Sequence, residues 1–238
     1  MNLLKYFPSS WKERLRRRAG AITLHQRLET LSRAGFRPRR IIDAGAFEGE
    51  WTRTVRRVFP EAEVLMVEPQ PEREPALSAV IRELPGVRWR RALLGAGPGT
   101  ARFLVEATNS RVLTGNWTPP AGSRVLELPV ETLADLSQQE KFFDCDFVKL
   151  DLQGHELQAL AGAGELFGRC EVFQVESSWL RIGEVPLAHE VIARFVERGY
   201  VLYDVLGHNY RPLDGALWQT DFILVRSNSP LVASRMWG

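Results

Sequence analysis

The strongest constraint on the fold of this chain is a pair of short apolar runs that each end in a carboxylate. Ile41-Ile42 leads into Asp43-Ala44-Gly45-Ala46-Phe47-Glu48-Gly49, and Val64-Leu65-Met66-Val67 leads into Glu68-Pro69. Unbroken aliphatic runs of this length read as strands buried on both faces, the habit of parallel sheets. A glycine turn and a helical pattern over residues 51–59 separate them, so the segment reads as a strand–helix–strand unit. In open sheets of this kind, ligands lie outside the carboxyl ends of the strands. Asp43, Gly45 and Glu68 therefore stand at the expected ligand edge.

The same alternation continues down the chain. Residues 87–93 read as the third strand, 147–151 as the fourth and 171–177 as the fifth. Residues 72–82 and 155–161 read as helices, and Pro186 opens another to about residue 198, since proline suits a first turn. Residues 201–205 and 222–225 complete the sheet, joined by a turn-rich segment that holds His208, Asn209, Tyr210 and Arg211. The expected fold is α/β: a mostly parallel seven-stranded, Rossmann-like sheet with helices on both faces.

Two sections stand apart. Residues 1–39 form a basic helical extension, with Lys12, Arg14, Arg16, Arg17 and Arg18 followed by Leu24, Leu28 and Leu31 at helical spacing. It reads as an accessory helix, a substrate cap, a dimer contact or a peripheral contact with anionic lipid. The main domain spans residues 40–228, and 229–238 are a tail. Within it, residues 100–130 break the rhythm: two strand-like pieces, 101–106 and 125–130, flank a loop that holds Trp117. Such a loop is either a lid facing the substrate or a surface insert. Trp117 either covers an acceptor or packs on the domain.

The turn after Asp43 narrows the ligand. A dinucleotide fingerprint needs G-x-G-x-x-G, with glycine where the pyrophosphate approaches. Here Phe47 and Glu50 stand at those places, and Glu48 adds a second carboxylate that repels phosphate. A phosphate-free, cationic nucleoside fits better, and S-adenosylmethionine carries both a sulfonium and an ammonium group. Asp43 and Glu48 suit that charge, and Glu68 suits the ribose hydroxyls. The P-loop pattern is absent.

The motifs Asp43–Gly49, Glu68-Pro69-Gln70-Pro71, Ala92-Leu93-Leu94-Gly95 and Lys149-Leu150-Asp151-Leu152-Gln153-Gly154-His155-Glu156, with Gln219-Thr220-Asp221-Phe222 near the end, resemble the FkbM-type S-adenosylmethionine-dependent methyltransferases. The likeness runs from about residue 40 to 226. It implies a class I methyltransferase fold, an antiparallel last strand, Ala92 and Leu93 beside the adenine, and a cofactor site that also takes in Gly45, Phe47, Gly49, Pro69 and Asp151. It further implies O-methylation of a sugar, glycolipid or polyketide-like hydroxyl. Gln153 departs from the commoner Asp-Val-Glu-Gly form, so no role passes to it from that acid.

For the chemistry, Asp151 at the tip of the fourth strand and His155 in the next turn are the candidate catalytic residues. A histidine titrates near neutrality and suits the removal of a hydroxyl proton. It also suits a plain surface turn. Glu156 reads as a carboxylate at a helix N-terminus. Glu176 and Trp179, ending the fifth strand, are candidate acceptor contacts. Asp151 with Glu176 would suit Mg²⁺ chemically, but no ligand spacing demands a metal. An N-methyltransferase, a non-catalytic binder of the nucleoside and, less favoured, a nicotinamide oxidoreductase are the alternatives.

Composition closes other routes. The net charge of +2 carries no nucleic-acid signature. Cys145 and Cys170 lack metal-type spacing and read as buried reduced thiols. No run approaches the roughly 18 apolar residues of a membrane span, and the first seven residues are too short for a leader core. A cytoplasmic enzyme with a small-molecule, carbohydrate or lipid-linked acceptor is expected.

Overall fold

The computed structural model describes residues 22–238 except 107, 108, 114, 116, 117, 184, 235, 237 and 238. The basic run 12–18 and Trp117 thus lie outside the described residues. The main sheet holds β1 (Arg40–Ala44), β2 (Glu63–Val67) and β3 (Val87–Arg90) from the first half of the chain. A smaller sheet holds β4 (Leu93–Gly95), β5 (Gly99–Val105), β6 (Arg111–Val112) and β7 (Arg124–Thr132). The main sheet then resumes with β8 (Phe147–Leu150), β9 (Val172–Ser178), β10 (Tyr200–Tyr210) and β11 (Leu217–Arg226).

Main-sheet order is β10-β11-β9-β8-β1-β2-β3. Pairs from β9 through β3 are parallel, while β11 is antiparallel to both β9 and β10. The order reverses between β1 and β8, the point where such sheets open a ligand crevice.

Alternate residues of the central strands feed two cores. Ile41, Val64, Phe147 and Val172 point toward α1 (Leu24–Arg33), α2 (Glu50–Val58) and α3 (Glu74–Glu83). Ile42, Leu65, Val148 and Phe173 point toward α4 (Leu133–Gln139), α5 (Glu156–Ala161), α6 (Leu166–Arg169) and α7 (Ala188–Val196). Full burial of each of these aliphatic side chains is worth roughly 2 kcal/mol, which explains why the strands lack polar alternation. On α1, Leu28 and Leu31 are fully buried beside Phe36, and a capping box of Thr23 and Gln26 starts the helix.

Three sequence expectations change. Residues 87–93 are two strands: the chain leaves β2 after Arg90, and Leu93 pairs with Val130 of β7. That departure rests on close packing, since a Cβ on Gly162 would lie 2.1 Å from the Gly95 carbonyl oxygen. Pro186 precedes its helix; α7 starts at Ala188, and the Glu190 carboxylate accepts the Leu187 N–H at 2.6 Å. The late turn-rich segment is mostly an extended ribbon, in which His208, Asn209 and Tyr210 are strand residues.

Candidate active site

A cleft of about 480 Å³ opens at the carboxyl ends of β1, β2, β8 and β9. Its floor is set by contact between two strand ends. Gly45 has φ 78°, and a Cβ there would fall 1.8 Å from the Asp151 carbonyl oxygen. Only glycine satisfies both demands. The Gly45 and Ala46 N–H groups donate to the Val67 carbonyl at 2.9 and 3.1 Å, folding the turn across the tip of β2.

That turn aims a main-chain donor at Glu68. The Glu68 carboxylate, only 3% exposed, accepts the Phe47 N–H on Oε2 and the Gln70 N–H on Oε1, each at 3.0 Å. Burial pushes this carboxyl above its ordinary value, and the two N–H donors offset part of that. The Gln70 side chain adds a further hydrogen bond, and the two oxygens together still hold spare acceptor capacity. Phe47 holds φ 50°, rare for a residue with a side chain, and the Arg73 guanidinium lies 3.9 Å from its ring centroid.

The β8 and β9 ends carry a connected set of charges. Lys149 is buried, with Nζ 2.8 Å from the Gly45 carbonyl oxygen, 3.1 Å from Asp43 Oδ1 and 3.5 Å from Asp151 Oδ2. Burial alone would lower the lysine pKa, but the carboxylates of Asp43 and Asp151 outweigh it and hold the ammonium charged. The Gln153 side-chain N–H₂ donates to Asp151 Oδ1 at 2.9 Å and to Glu176 Oε2 at 2.8 Å. Gln219 donates to the same Glu176 oxygen at 3.2 Å. Burial pushes the Glu176 carboxyl well up, and neighbouring Asp151 and Asp221 push it further. Glu156 is buried under the loop and accepts the Leu152 and Gly154 N–H groups at 2.8 and 3.1 Å. Its burial raises its pKa to about 7.

Of the sequence candidates, Gly45, Phe47, Glu68, Pro69, Ala92 and Leu93 line one side of the cleft. Asp151, His155 and Glu176 line the other. His155 also lines an adjoining groove of about 800 Å³, which includes Gln153, Ile182, Val185, Trp218 and Gln219. Burial lowers the His155 pKa, so the imidazole is neutral near pH 7.

Four candidates fall outside the walls. Asp43 is fully buried, bound by Thr52 Oγ1 at 2.7 Å and by Lys149, so its carboxylate is spent within the protein. Glu48 is exposed and pairs with Arg73 at 2.7 Å. Gly49 starts α2 against Val80, whose Cγ2 would meet a Cβ at 2.6 Å. Trp179, 43% exposed, donates to Thr220 Oγ1 at 2.9 Å and packs edge-on against Phe222. Each is held by neighbours that the sequence does not show.

Sequence reasoning missed Lys149, Gln153, Asn209 and Gln219. Lys149 left a signal, because a charge inside a fully apolar strand requires a partner. The insert enters the site through Phe103, Asn109, Ser110 and Val112, and Ser110 Oγ donates to Gln70 Oε1 at 3.1 Å.

The strand order, the antiparallel β11 and a cleft at the reversal point define the class I methyltransferase fold. Residues 43–202 match the model of the Methyltransferase FkbM domain, and the chain belongs to that family of methyltransferases. No curated protein matches the chain in sequence. Among solved structures it is similar to precorrin-6y C5,15-methyltransferase from Geobacter metallireducens GS-15, at 12% identity, TM-score 0.47, and coverage of 84% of this chain and 87% of that one. It is similar also to the ribosomal protein L11 methylase from Lactobacillus delbrueckii subsp. bulgaricus, at 12% identity, TM-score 0.48 and coverage of 87% and 82%. An O-methyltransferase family protein from Burkholderia thailandensis gives 14% identity and TM-score 0.48; the match takes in 86% of this chain but 55% of that one. Among the described residues, no helix is long and apolar enough to cross a membrane.

Proposed function

We propose that the chain is an S-adenosylmethionine-dependent O-methyltransferase acting on a hydroxyl of a sugar, glycolipid or polyketide-like acceptor. One observation carries the donor assignment: the described cleft wall holds the carboxylates of Glu68, Asp151 and Glu176 and no lysine or arginine. A pyrophosphate would meet carboxylates and no cationic side chain on that wall, whereas a cationic nucleoside gains from them. The buried Glu68, which lines the cleft with acceptor capacity to spare, fits the hydroxyls of a ribose. Ala92, Leu93 and Phe47 supply apolar contact for a base, and Asp151 supplies the carboxylate for a positive group.

S-adenosylmethionine supplies a methyl group on a charged sulfur, so alignment with the acceptor carries much of the barrier. The remaining task is the hydroxyl proton. His155, neutral and placed where cleft and groove meet, receives it. The groove offers amide and imidazole groups and the Arg111 side chain, itself paired with Glu106, beside Ile182, Val185 and Trp218, a surface for a polar acceptor with an apolar face.

Calorimetry with S-adenosylhomocysteine and with NAD separates the donor readings. Binding of the former alone is expected; preference for NAD would sink the proposal. A metabolite library incubated with methyl-labelled donor then identifies the acceptor, and label found only on nitrogen would overturn the O-methyl assignment.

A further inference from the structure

Gln153 stands in an unusual backbone state for a reason visible at its side chain. Its φ of 54° is a left-handed conformation that side-chain-bearing residues rarely adopt. The loop is forced into that state from below. Glu156 accepts the N–H groups on both sides of Gln153, those of Leu152 and Gly154. Gly154 follows at φ 98°, with Val185 Cγ1 2.5 Å from where its Cβ would be. Strain of this kind persists only where the surroundings over-determine it, and it marks a position whose side chain has a task.

The side chain ends between two carboxylates. One N–H₂ group donates to Asp151 on the tip of β8 and to Glu176 on β9. Two carboxylates drawn to a common point repel unless a cation, a shared proton or a donor stands between them. Lys149 neutralises Asp151 from its other oxygen, Oδ2, at 3.5 Å. What stands between the two carboxylates, however, is an uncharged amide with two hydrogens, and Gln219 donates to the same Glu176 oxygen. Among the described residues, no three side chains of the His, Cys, Asp and Glu types form a group that could hold a metal ion. An acid at position 153 would complete such a group with Asp151 and Glu176.

We propose that Gln153 is the positioning residue of this site, a neutral clamp that bridges Asp151 and Glu176 on the cleft wall in the place a divalent cation would take. The clamp fixes one oxygen of each carboxylate and leaves the orientation of the other determined. The inference stands on this geometry alone and holds whichever nucleoside the cleft takes.

The test uses the whole protein without donor or acceptor, and Mn²⁺ alone as probe, followed by electron paramagnetic resonance near neutral pH. Gln153→Glu should take up one Mn²⁺ per chain, at least about tenfold more tightly than wild type, because it adds a third hard oxygen ligand. Equal affinity of the two proteins, tight or weak, overturns the clamp. Circular dichroism reports whether the variant is folded. A second measurement needs only wild-type folding: the Gln153 side-chain N–H₂ resonances, assigned by their disappearance in Gln153→Met, should be dispersed and protected from solvent exchange. Averaged, rapidly exchanging resonances would equally overturn the proposal.

Discussion

The tips of β1 and β2 and the tips of β8 and β9 face one cleft, yet they hold their carboxylates by different means. Glu68 is held by the main chain, through the N–H groups of Phe47 and Gln70. Asp151 and Glu176 are held by side chains, those of Lys149, Gln153 and Gln219. The first arrangement depends on the shape of one turn. The second depends on partners drawn from β8, a loop and β11. Damage to the first half should therefore be collective, and damage to the second should be residue by residue.

The largest effect tests the collective half. Gly45→Ala meets the Asp151 carbonyl and an unfavourable φ together, so thermal unfolding should show a loss of about 3 kcal/mol or more. S-adenosylhomocysteine binding should vanish with it; a stable, binding-competent variant would break the comparison. On the other half, His155→Ala should lower kcat by about 10²-fold with donor affinity nearly unchanged. Burial favours the neutral imidazole, so the acid limb of kcat/KM should lie below the ordinary histidine value of 6.5. A limb above that value would remove His155 from the proton's path.

Glu68→Ala sharpens the contrast from the donor side. Loss of charged hydrogen bonds should weaken S-adenosylhomocysteine by about tenfold to a hundredfold in calorimetry. The contribution of Glu156 is read through pH. Its carboxyl is raised to about 7 from an ordinary 4.5, so the folded state binds the proton more tightly than the unfolded chain. Its stabilising protonation is complete below pH 4.5 and is lost as pH rises through about 7. Denaturation of Glu156→Gln should show that decline flattened, by an amount on the order of 3 kcal/mol. Smallest of all, Glu48→Ala removes an exposed pair with Arg73 and should shift donor affinity by less than about threefold.

The same contrast explains what could be read from the sequence. Glycine turns and aliphatic runs announce themselves locally, so the β1–β2 half and the seven-stranded, mostly parallel sheet were legible, while the antiparallel last strand was implied only by the family resemblance. Asp43 shows the limit: a strand-end carboxylate looks identical whether it faces a cleft or a buried lysine more than a hundred positions away. Lys149 was the missing clue. The extension of β10 past residue 205 was hidden because His208, Asn209 and Tyr210 carry no apolar alternation, although Asn209 reaches the cleft wall. The split at residues 91–92 was hidden because no glycine or proline separates Val87–Arg90 from Leu93-Leu94, which join a different sheet.

The meeting of Gly95 and Gly162 has a practical meaning for anyone recombining this scaffold. The small sheet that forms one wall is seated on α5, the helix that follows His155, with no room for a single methyl group at the seam. A cassette cut at residues 93 and 132 would bring its own backbone to that seam, where any recipient residue but glycine at position 162 would collide with it. The unit of exchange that keeps this seam intact runs on through residue 162, and so carries the His155 turn along with the small sheet.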